Sequence, residues 1–239
     1  MLVDIFSVFD DKNLVFFSEY LLSWTMTSTA ILLLNAVYWT APNNWSGVLN
    51  IPKNMITAQV QRSTGGGKLG GFTNITAALF LFIIFSNLLG LIPYVFSTTS
   101  HLVVTMPLAL PLWLSLILSS IALNPAATAA SLLPGGAPIL LNPFLILVET
   151  VSIMARPITL SVRLAANMSA GHIILGLMST YLAAGLFTYP LLITTFLVLL
   201  EMFYFTFELG ICMIQAYVFV LLISLYSDDH AFKPSHYIS

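Results

Sequence analysis

The chain has 239 residues, of which 59% are hydrophobic and only 7% are charged, with a net charge of −2. Because an ordinary soluble domain carries about 25% charged residues, this composition excludes a globular protein in water and predicts an integral membrane protein. The seven Lys and Arg residues are scattered, so nothing favours nucleic-acid binding, and the single Cys212 excludes an internal disulfide.

The N-terminal part of the chain contains one predicted span and a polar surface segment. A span needs about 20 apolar residues, and the first such run lies at 19–39, within an N-terminal segment that we place at 1–42. Residues 43–71 are more polar, but KNMITAQVQR shows a weak apolar stripe of Met55, Ile56 and Val60, so we expect a short amphipathic helix at the membrane surface. The opening MLVDIFSVFDDKNL is acidic, and we expect no cleavable signal peptide.

The middle of the chain predicts two upright spans and a break. Apolar runs at about 72–96 and 102–123 give two spans within residues 72–124. Residues 124–143 are rich in proline and glycine, so this segment is predicted as a loop or as broken structure.

The C-terminal part predicts two unusually long helices, at 143–180 and 189–227. Each would be about 57 Å long, nearly twice the thickness of the hydrocarbon layer. Two short spans in each segment are the alternative, but the second segment offers only Gly210 for the turn. We therefore prefer long tilted helices, the first of which Pro157 could kink. The expected fold is a single all-α, polytopic membrane domain with about three upright spans, a short amphipathic surface helix and a hairpin of two long tilted helices.

The distribution of basic residues predicts the orientation. Lys53, Arg62 and Lys68 cluster in the loop after the first span, which should therefore face the negative side of the membrane, with the acidic N-terminus opposite.

Charged residues within the oily part of the chain are the main functional signal. Between residues 72 and 226 they are Glu149, Arg156, Arg163, Glu201 and Glu208. Each costs about 2.5 to 3.5 kcal/mol in a membrane, and such residues usually mark ion pathways. The first three are spaced by seven residues, and the last two share this spacing with Gln215, so each set follows one helix face.

A purely structural role is the alternative to a pathway. The charges could form ion pairs that hold helices together, for instance Glu208 with Arg156, or the chain could be a scaffold. Two aligned polar faces exceed what such pairing needs, so we prefer a pathway. Arg163 stays protonated and cannot relay protons. It can attract a passing carboxylate, lower the pKa of that carboxylate so that it releases its proton, and block leakage by its own charge.

Three stretches resemble a known family. They are ETVSIMARPITLSVRLAANMSAGHIIL, LEMFYFTFELGICMIQAYVFVLLISLY and LLGLIPYVFSTTSHLVVTMPLALPLWLS. These stretches, within about 72–230, are similar to subunit a of rotary F-type ATP synthases of the mitochondrial type. The core of the resemblance is an arginine four residues before an asparagine, followed by Ala-Gly-His.

The resemblance implies a stator subunit with two nearly horizontal helices and two offset half-channels beside a rotating ring of c subunits. Arg163 matches the essential arginine that deprotonates passing ring carboxylates and prevents proton leak. The other residues implied for proton translocation are Asn167, His172, Glu208, Gln215, Glu201 and Glu149. Of these, Glu201 is matched least directly and could instead pair with Arg156. The small residues expected to face the ring are Ala166, Ala170 and Gly171. Asn87 and His101 fit polar positions whose role, structural or functional, stays open.

The resemblance also implies partners and a location. The partners would be the c-ring, the peripheral stalk subunit b, other membrane subunits and lipid, with cardiolipin a candidate, and the N-terminal segment could engage accessory subunits. We expect a multi-pass protein of the mitochondrial inner membrane, with the bacterial plasma membrane as the alternative. The chain should not be catalytic alone and should need no cofactor or metal. No nucleotide site is expected, because Leu69 follows the Gly-Lys of STGGGKLGG where a phosphate-binding loop needs Ser or Thr.

Two other classes of membrane protein fit the sequence less well. A secondary ion or proton antiporter is the best rival, but it would usually show inverted repeats and broken helices around its carboxylates. A haem-carrying oxidoreductase needs paired histidines within spans, and only His101 and His172 lie in apolar stretches.

Overall fold

The computed structural model describes Phe9 and residues 44–63, 69–92, 97–132, 141–185 and 188–229. In these ranges the chain is helical with no strand. The helices are α1 (Asn44–Arg62), α2 (Phe72–Gly90), α3 (Leu102–Leu123), α4 (Pro125–Ser131), α5 (Asn142–Gly185) and α6 (Leu191–Asp228), with a short 3-10 helix at Thr98–Ser100. Four of them, α2, α3, α5 and α6, are long and apolar enough to cross a membrane. The protein is therefore an all-α polytopic membrane protein, as the sequence predicts, while the predicted span at 19–39 lies outside the described residues.

The helix α1 contains the predicted apolar stripe and is longer than it. It packs against α2 through Ile56 and Val60, which are buried, and it exposes Lys53 and Arg62. Met55, the first residue of the predicted apolar stripe, has a side chain that is 69% exposed. Met55 lies about 100° from Ile56 around the helix, on the outer side of the apolar face, and the position of this helix at the membrane surface stays a prediction.

The two middle helices correspond to the predicted spans, but α2 ends earlier than predicted and a further short helix follows α3. The left-handed conformation of Gly71 (φ 81°), which suits glycine, precedes α2. This helix ends at Gly90 rather than at residue 96, since the residue before Pro93 disfavours helical backbone. The segment 124–143, predicted as a loop or as broken structure, breaks from α3 at Asn124 and contains the short helix α4. The side chain of Asn124 accepts a hydrogen bond from the Ala127 amide at 3.3 Å, and proline stands at the first helical position.

The two C-terminal helices are uninterrupted. They contain 44 and 38 residues, which corresponds to about 66 Å and 57 Å of helix. The prediction of long helices instead of paired short spans is confirmed. α5 continues through Pro157, and the missing side chain of Gly185 at its end makes room for the ring of Tyr189 in the turn to α6. The tilt of both helices in the membrane stays a prediction.

The long helices form an antiparallel pair that also packs against the middle helices. α5 contacts α3 and α6, and α6 contacts α2. Leu164 on α5 and Phe219 and Val220 on α6 lie in the same apolar core as Ile83 of α2. Residues of α5 near the middle of the hairpin therefore lie opposite residues 208–220 of α6, which sets the position of every polar side chain described below.

Candidate functional site

Arg163 lies on the outward face of the hairpin. Its side chain is exposed, and Ala166 and Ala170, which share its helix face, are exposed as well. The intervening Leu164 and Ala165 are buried against the rest of the chain. No described carboxylate lies within ion-pair distance of the Arg163 guanidinium. The described part of the chain therefore leaves this cation open on a face of small side chains, which allows another helix to approach closely.

Asn167 and Gln215 join the two long helices one turn beyond Arg163. The Nδ2 of Asn167 donates a hydrogen bond to the Oε1 of Gln215 at 2.7 Å. Gln215 is buried, and its Nε2 has no described hydrogen-bond partner. The sequence singled out both residues, and the structure brings them together.

Glu208 is buried between the two long helices, with only 2% of its surface exposed. Its carboxylate occupies the space that a side chain on Gly171 would fill. One turn further along α6, the Cys212 thiol lies 3.6 Å from the Sδ of Met168 on α5. A carboxylate is costly to bury in a membrane, and such residues usually mark functional sites.

The resemblance led us to expect Gly171 on the outward face with Ala166 and Ala170, but Gly171 does not lie there. Gly171 is buried and faces α6. Eight residues at about 100° each place it about 80° around the helix from Arg163. The absence of a side chain at Gly171 leaves room for the carboxylate of Glu208 and does not contribute to the outward face.

His172 lies at the same level of the hairpin as Glu208, since it follows Gly171. The imidazole is half-buried, and its Nε2 is buried without a described hydrogen-bond partner. The ring of Phe9 packs edge-on against it, with 6.4 Å between the ring centroids. Glu201, two turns before Glu208 on the same face of α6, is half-buried and has no described ion pair.

A second polar cluster lies at the other end of the hairpin. The Nη1 of Arg156 donates to the Oδ2 of Asp229 at 2.6 Å, and its Nη2 lies 3.7 Å from the Oε1 of Glu149. The guanidinium also lies 5.1 Å from the centroid of the Tyr226 ring. Both pairings proposed from sequence for Arg156 were wrong: Glu208 and Glu201 belong to the opposite end of the hairpin, while the end of α6 brings Asp229 to the start of α5.

This cluster borders a cavity. The cavity has a volume of about 470 Å³ and lies between α3, α4, α5 and α6. Its polar wall contains Glu149, Arg156 and Asp229, and Trp113 contributes to the apolar wall. Sequence reasoning missed Asp229 and Tyr226, because Asp229 lies just beyond the oily segment and the phenol of Tyr226 carries no formal charge.

Two further buried polar groups lie on and near α2. Asn87 and Thr99 are 0% exposed, and their side-chain polar atoms have no described hydrogen-bond partner. Buried polar groups of this kind are usually satisfied by ordered water. One turn after Asn87, Gly90 packs against Met168, so these groups lie on the Glu208 side of the hairpin.

Comparison with known proteins identifies the family. The sequence matches the family model described as ATP synthase A chain over residues 20–228. The chain belongs to this family. Proteins named ATP synthase subunit a from Albinaria caerulea and Drosophila melanogaster are 38% and 37% identical to it, over 96% of this chain and 100% and 99% of the relative. The Locusta migratoria protein of the same name is 36% identical, over 96% of this chain and 99% of the relative.

Membership in the ATP synthase subunit a family establishes the general role. The chain is part of the proton-translocating membrane sector and is not catalytic by itself. Together with its four apolar helices, the relatives support a multi-pass protein of the mitochondrial inner membrane, as the sequence predicts. The described residues contain no group of three or more His, Cys, Asp or Glu that could hold a metal ion.

Proposed function

We propose that this chain forms two half-channels that lead protons to and from a ring of c subunits, and that Arg163 separates them. The observation that carries the proposal is the open Arg163 guanidinium on an outward face, with a polar cluster on either side of it along the hairpin. Along α5, Gly171 and Arg156 lie about 12 Å and 10 Å from Arg163 on opposite sides. Neither cluster can therefore pass a proton directly to the other.

One half-channel follows the Glu208 side. Glu208 receives a proton and delivers it toward the ring, with His172 and the Asn167–Gln215 pair near the point of transfer. The unpartnered polar atoms of His172, Gln215 and Asn87 support water along this route, because each needs a hydrogen-bonding partner. Glu201 forms the outer part of the same face of α6.

The other half-channel follows the cavity at Glu149. The carboxylates of Glu149 and Asp229 offer acceptors for protons that leave the ring, and the cavity provides room for water beside them. Arg156 holds both carboxylates in place through its two ion pairs.

Arg163 acts on carboxylates of the partner ring. A ring carboxylate that reaches the exposed guanidinium is stabilised in its charged form and releases its proton, while the fixed positive charge repels protons that would otherwise cross directly. Ala166 and Ala170 leave space for the ring helices to approach. Subunit b, other membrane subunits and lipid, with cardiolipin a candidate, would cover further faces of the chain.

Cross-linking tests this proposal. A cysteine introduced at Ala170 should form a disulfide with a cysteine on the outer helix of a c subunit, whereas one at the buried Ala216 should not, because Ala216 is 0% exposed. The native Cys212 is buried and gives little background. An antiporter that works without a ring would give no cross-link from either position, and that result would refute the proposal.

A further inference from the structure

The ring of Phe9 packs against His172, although the two residues lie far apart in the sequence. Phe9 belongs to the N-terminal segment, whereas His172 lies within α5. Their rings meet edge-on, with 6.4 Å between the centroids and 88° between the ring planes. Aromatic pairs that attract each other have centroids about 4.5 to 7 Å apart and often adopt this perpendicular arrangement. The contact therefore has the geometry of a stabilising aromatic pair, and it brings Phe9 to the Glu208 side of the hairpin.

The orientation of the His172 imidazole matters because its two nitrogens differ. In a neutral imidazole one nitrogen donates a hydrogen bond and the other accepts one. The Nε2 of His172 is buried and has no described partner, so no described hydrogen bond fixes its direction. The outer torsion of a histidine side chain has a broad energy minimum, so the ring can turn unless its neighbours restrain it. The Phe9 ring is a described neighbour that restrains it.

This orientation bears on the proposed route for proton uptake. His172 directly follows Gly171, whose missing side chain makes room for the carboxylate of Glu208. Histidine can pass protons on because an imidazole binds and releases a proton near neutral pH. To act on this route, the imidazole must keep Nε2 directed into the protein, where it now lies. A ring that turned outward would remove this nitrogen from the route.

We propose that Phe9 is a positioning residue for His172: its ring holds the imidazole in the orientation in which Nε2 is buried on the uptake side of the hairpin. The inference rests on the proposed uptake route through Glu208 and His172, and it adds a residue of the N-terminal segment to that route. The aromatic character of Phe9 is essential to it, because an aliphatic side chain has no ring edge or face for the perpendicular contact.

Anchoring of the N-terminal segment is the alternative role for Phe9, and two substitutions separate the roles. Phe9→Leu keeps an apolar side chain that can anchor the segment but removes the aromatic contact, whereas Phe9→Trp keeps an aromatic ring. Phe196→Leu on α6 is the matched control. Phe196 is 63% exposed and lies about 18 Å along the helix from Glu208.

Chemical modification of His172 reports the orientation of its ring. The whole ATP synthase complex is treated with diethyl pyrocarbonate, which acylates an accessible, unprotonated imidazole nitrogen, and the modified histidines are quantified by mass spectrometry. Phe9→Leu should speed the modification of His172 by about threefold to tenfold, the population ratio that one aromatic pair maintains. Phe9→Trp and Phe196→Leu should match wild type. His101 should react equally in all variants and serves as the internal reference.

Proton flux shows whether this orientation matters for transport. The complex is reconstituted into liposomes, and the flux is driven by an imposed pH gradient and potential. Phe9→Leu should slow the flux by about threefold to tenfold, and Phe9→Trp should restore it. In a His172→Gln background, Phe9→Leu should cause no further loss, because Phe9 acts through the imidazole.

The possible failures are distinguishable. Unchanged reactivity of His172 in Phe9→Leu, wild-type flux in Phe9→Leu, or a Phe9→Trp variant as impaired as Phe9→Leu would each overturn the inference and leave the proposed function standing. An equal slowing by Phe9→Leu with and without His172→Gln would do the same. Wild-type flux in His172→Gln alone would instead remove His172 from the uptake route, which refutes that part of the proposed function. The reactivity of His172 in Phe9→Leu would still decide whether Phe9 holds the ring.

Discussion

The proposed role of Arg163 predicts that Arg163→Lys abolishes coupled ATP synthesis although lysine is also basic. The described residues provide no carboxylate to hold a cation at this position. An arginine stays protonated there, because its guanidinium does not lose its proton in proteins, whereas a desolvated lysine readily does. The substitution therefore replaces a permanent charge with one that can disappear.

The size of the effect follows from the charge that a ring carboxylate meets. At about 4 Å and an effective dielectric constant of about 20, a guanidinium stabilises a carboxylate by about 4 kcal/mol. Since about 1.4 kcal/mol corresponds to a factor of ten, this favours the charged form by about a thousandfold. A lysine that loses its proton loses this preference together with the barrier to direct proton passage, so we expect ATP synthesis to fall below about one hundredth of the wild-type rate.

The assay is ATP synthesis by the reconstituted complex under an imposed proton gradient, with passive proton leak measured in parallel. Assembly should be normal, because Arg163 is exposed and makes no described ion pair whose loss would unfold the hairpin. Arg62→Lys on the exposed surface of α1 is the matched control and should leave both rates unchanged. Synthesis at the wild-type rate in Arg163→Lys would refute the separation of the half-channels by this residue.

Three further predictions concern the two polar clusters. Gly171→Ala should strongly reduce proton flux, because the added carbon would displace the Glu208 carboxylate. Gly176→Ala is the control and should not reduce it, because the space around Gly176 is open. Equal flux in the two variants would contradict the contact between Gly171 and Glu208. Glu208→Gln should slow proton uptake in liposome flux assays while the amount of assembled complex stays normal. Asp229→Asn should slow proton release in the same assays, because it weakens the ion pair with Arg156; an unchanged rate would remove Asp229 from the route.

The helices and the charged positions could be predicted from the sequence because both depend on local pattern. Apolar length predicted helices at 102–123 and 189–227, close to the observed α3 and α6, and the spacing of seven residues placed Glu201, Glu208 and Gln215 on one face. Both the apolar length and the spacing are local properties of the sequence, so they do not depend on how the helices pack against each other.

The pairing of these residues could not be predicted in the same way, because it depends on the register of the hairpin. Opposite Asn167 lies Gln215, and opposite Gly171 lies Glu208, so Arg156 reaches Asp229 instead of either glutamate of α6. A shift of one turn would have separated these partners without changing the apolar pattern. The inward turn of Gly171 was missed for the same reason: only the position of the Glu208 carboxylate shows which face of α5 needs a glycine.

The hairpin register also explains why a moving partner is needed. Glu201 and Glu208 of α6 lie on one side of Arg163, and Glu149 and Asp229 lie on the other, each about 10 Å or more along the helices. A proton that passed from one cluster to the other through this chain would have to cross the field of the Arg163 guanidinium, which no described carboxylate neutralises and which repels the proton. A carboxyl group that arrives protonated from a neighbouring subunit is neutral and avoids this repulsion, and after its proton is lost it is attracted to the same cation. We therefore infer that the outward position of Arg163 makes this chain a conductor only beside a partner that carries acids past it.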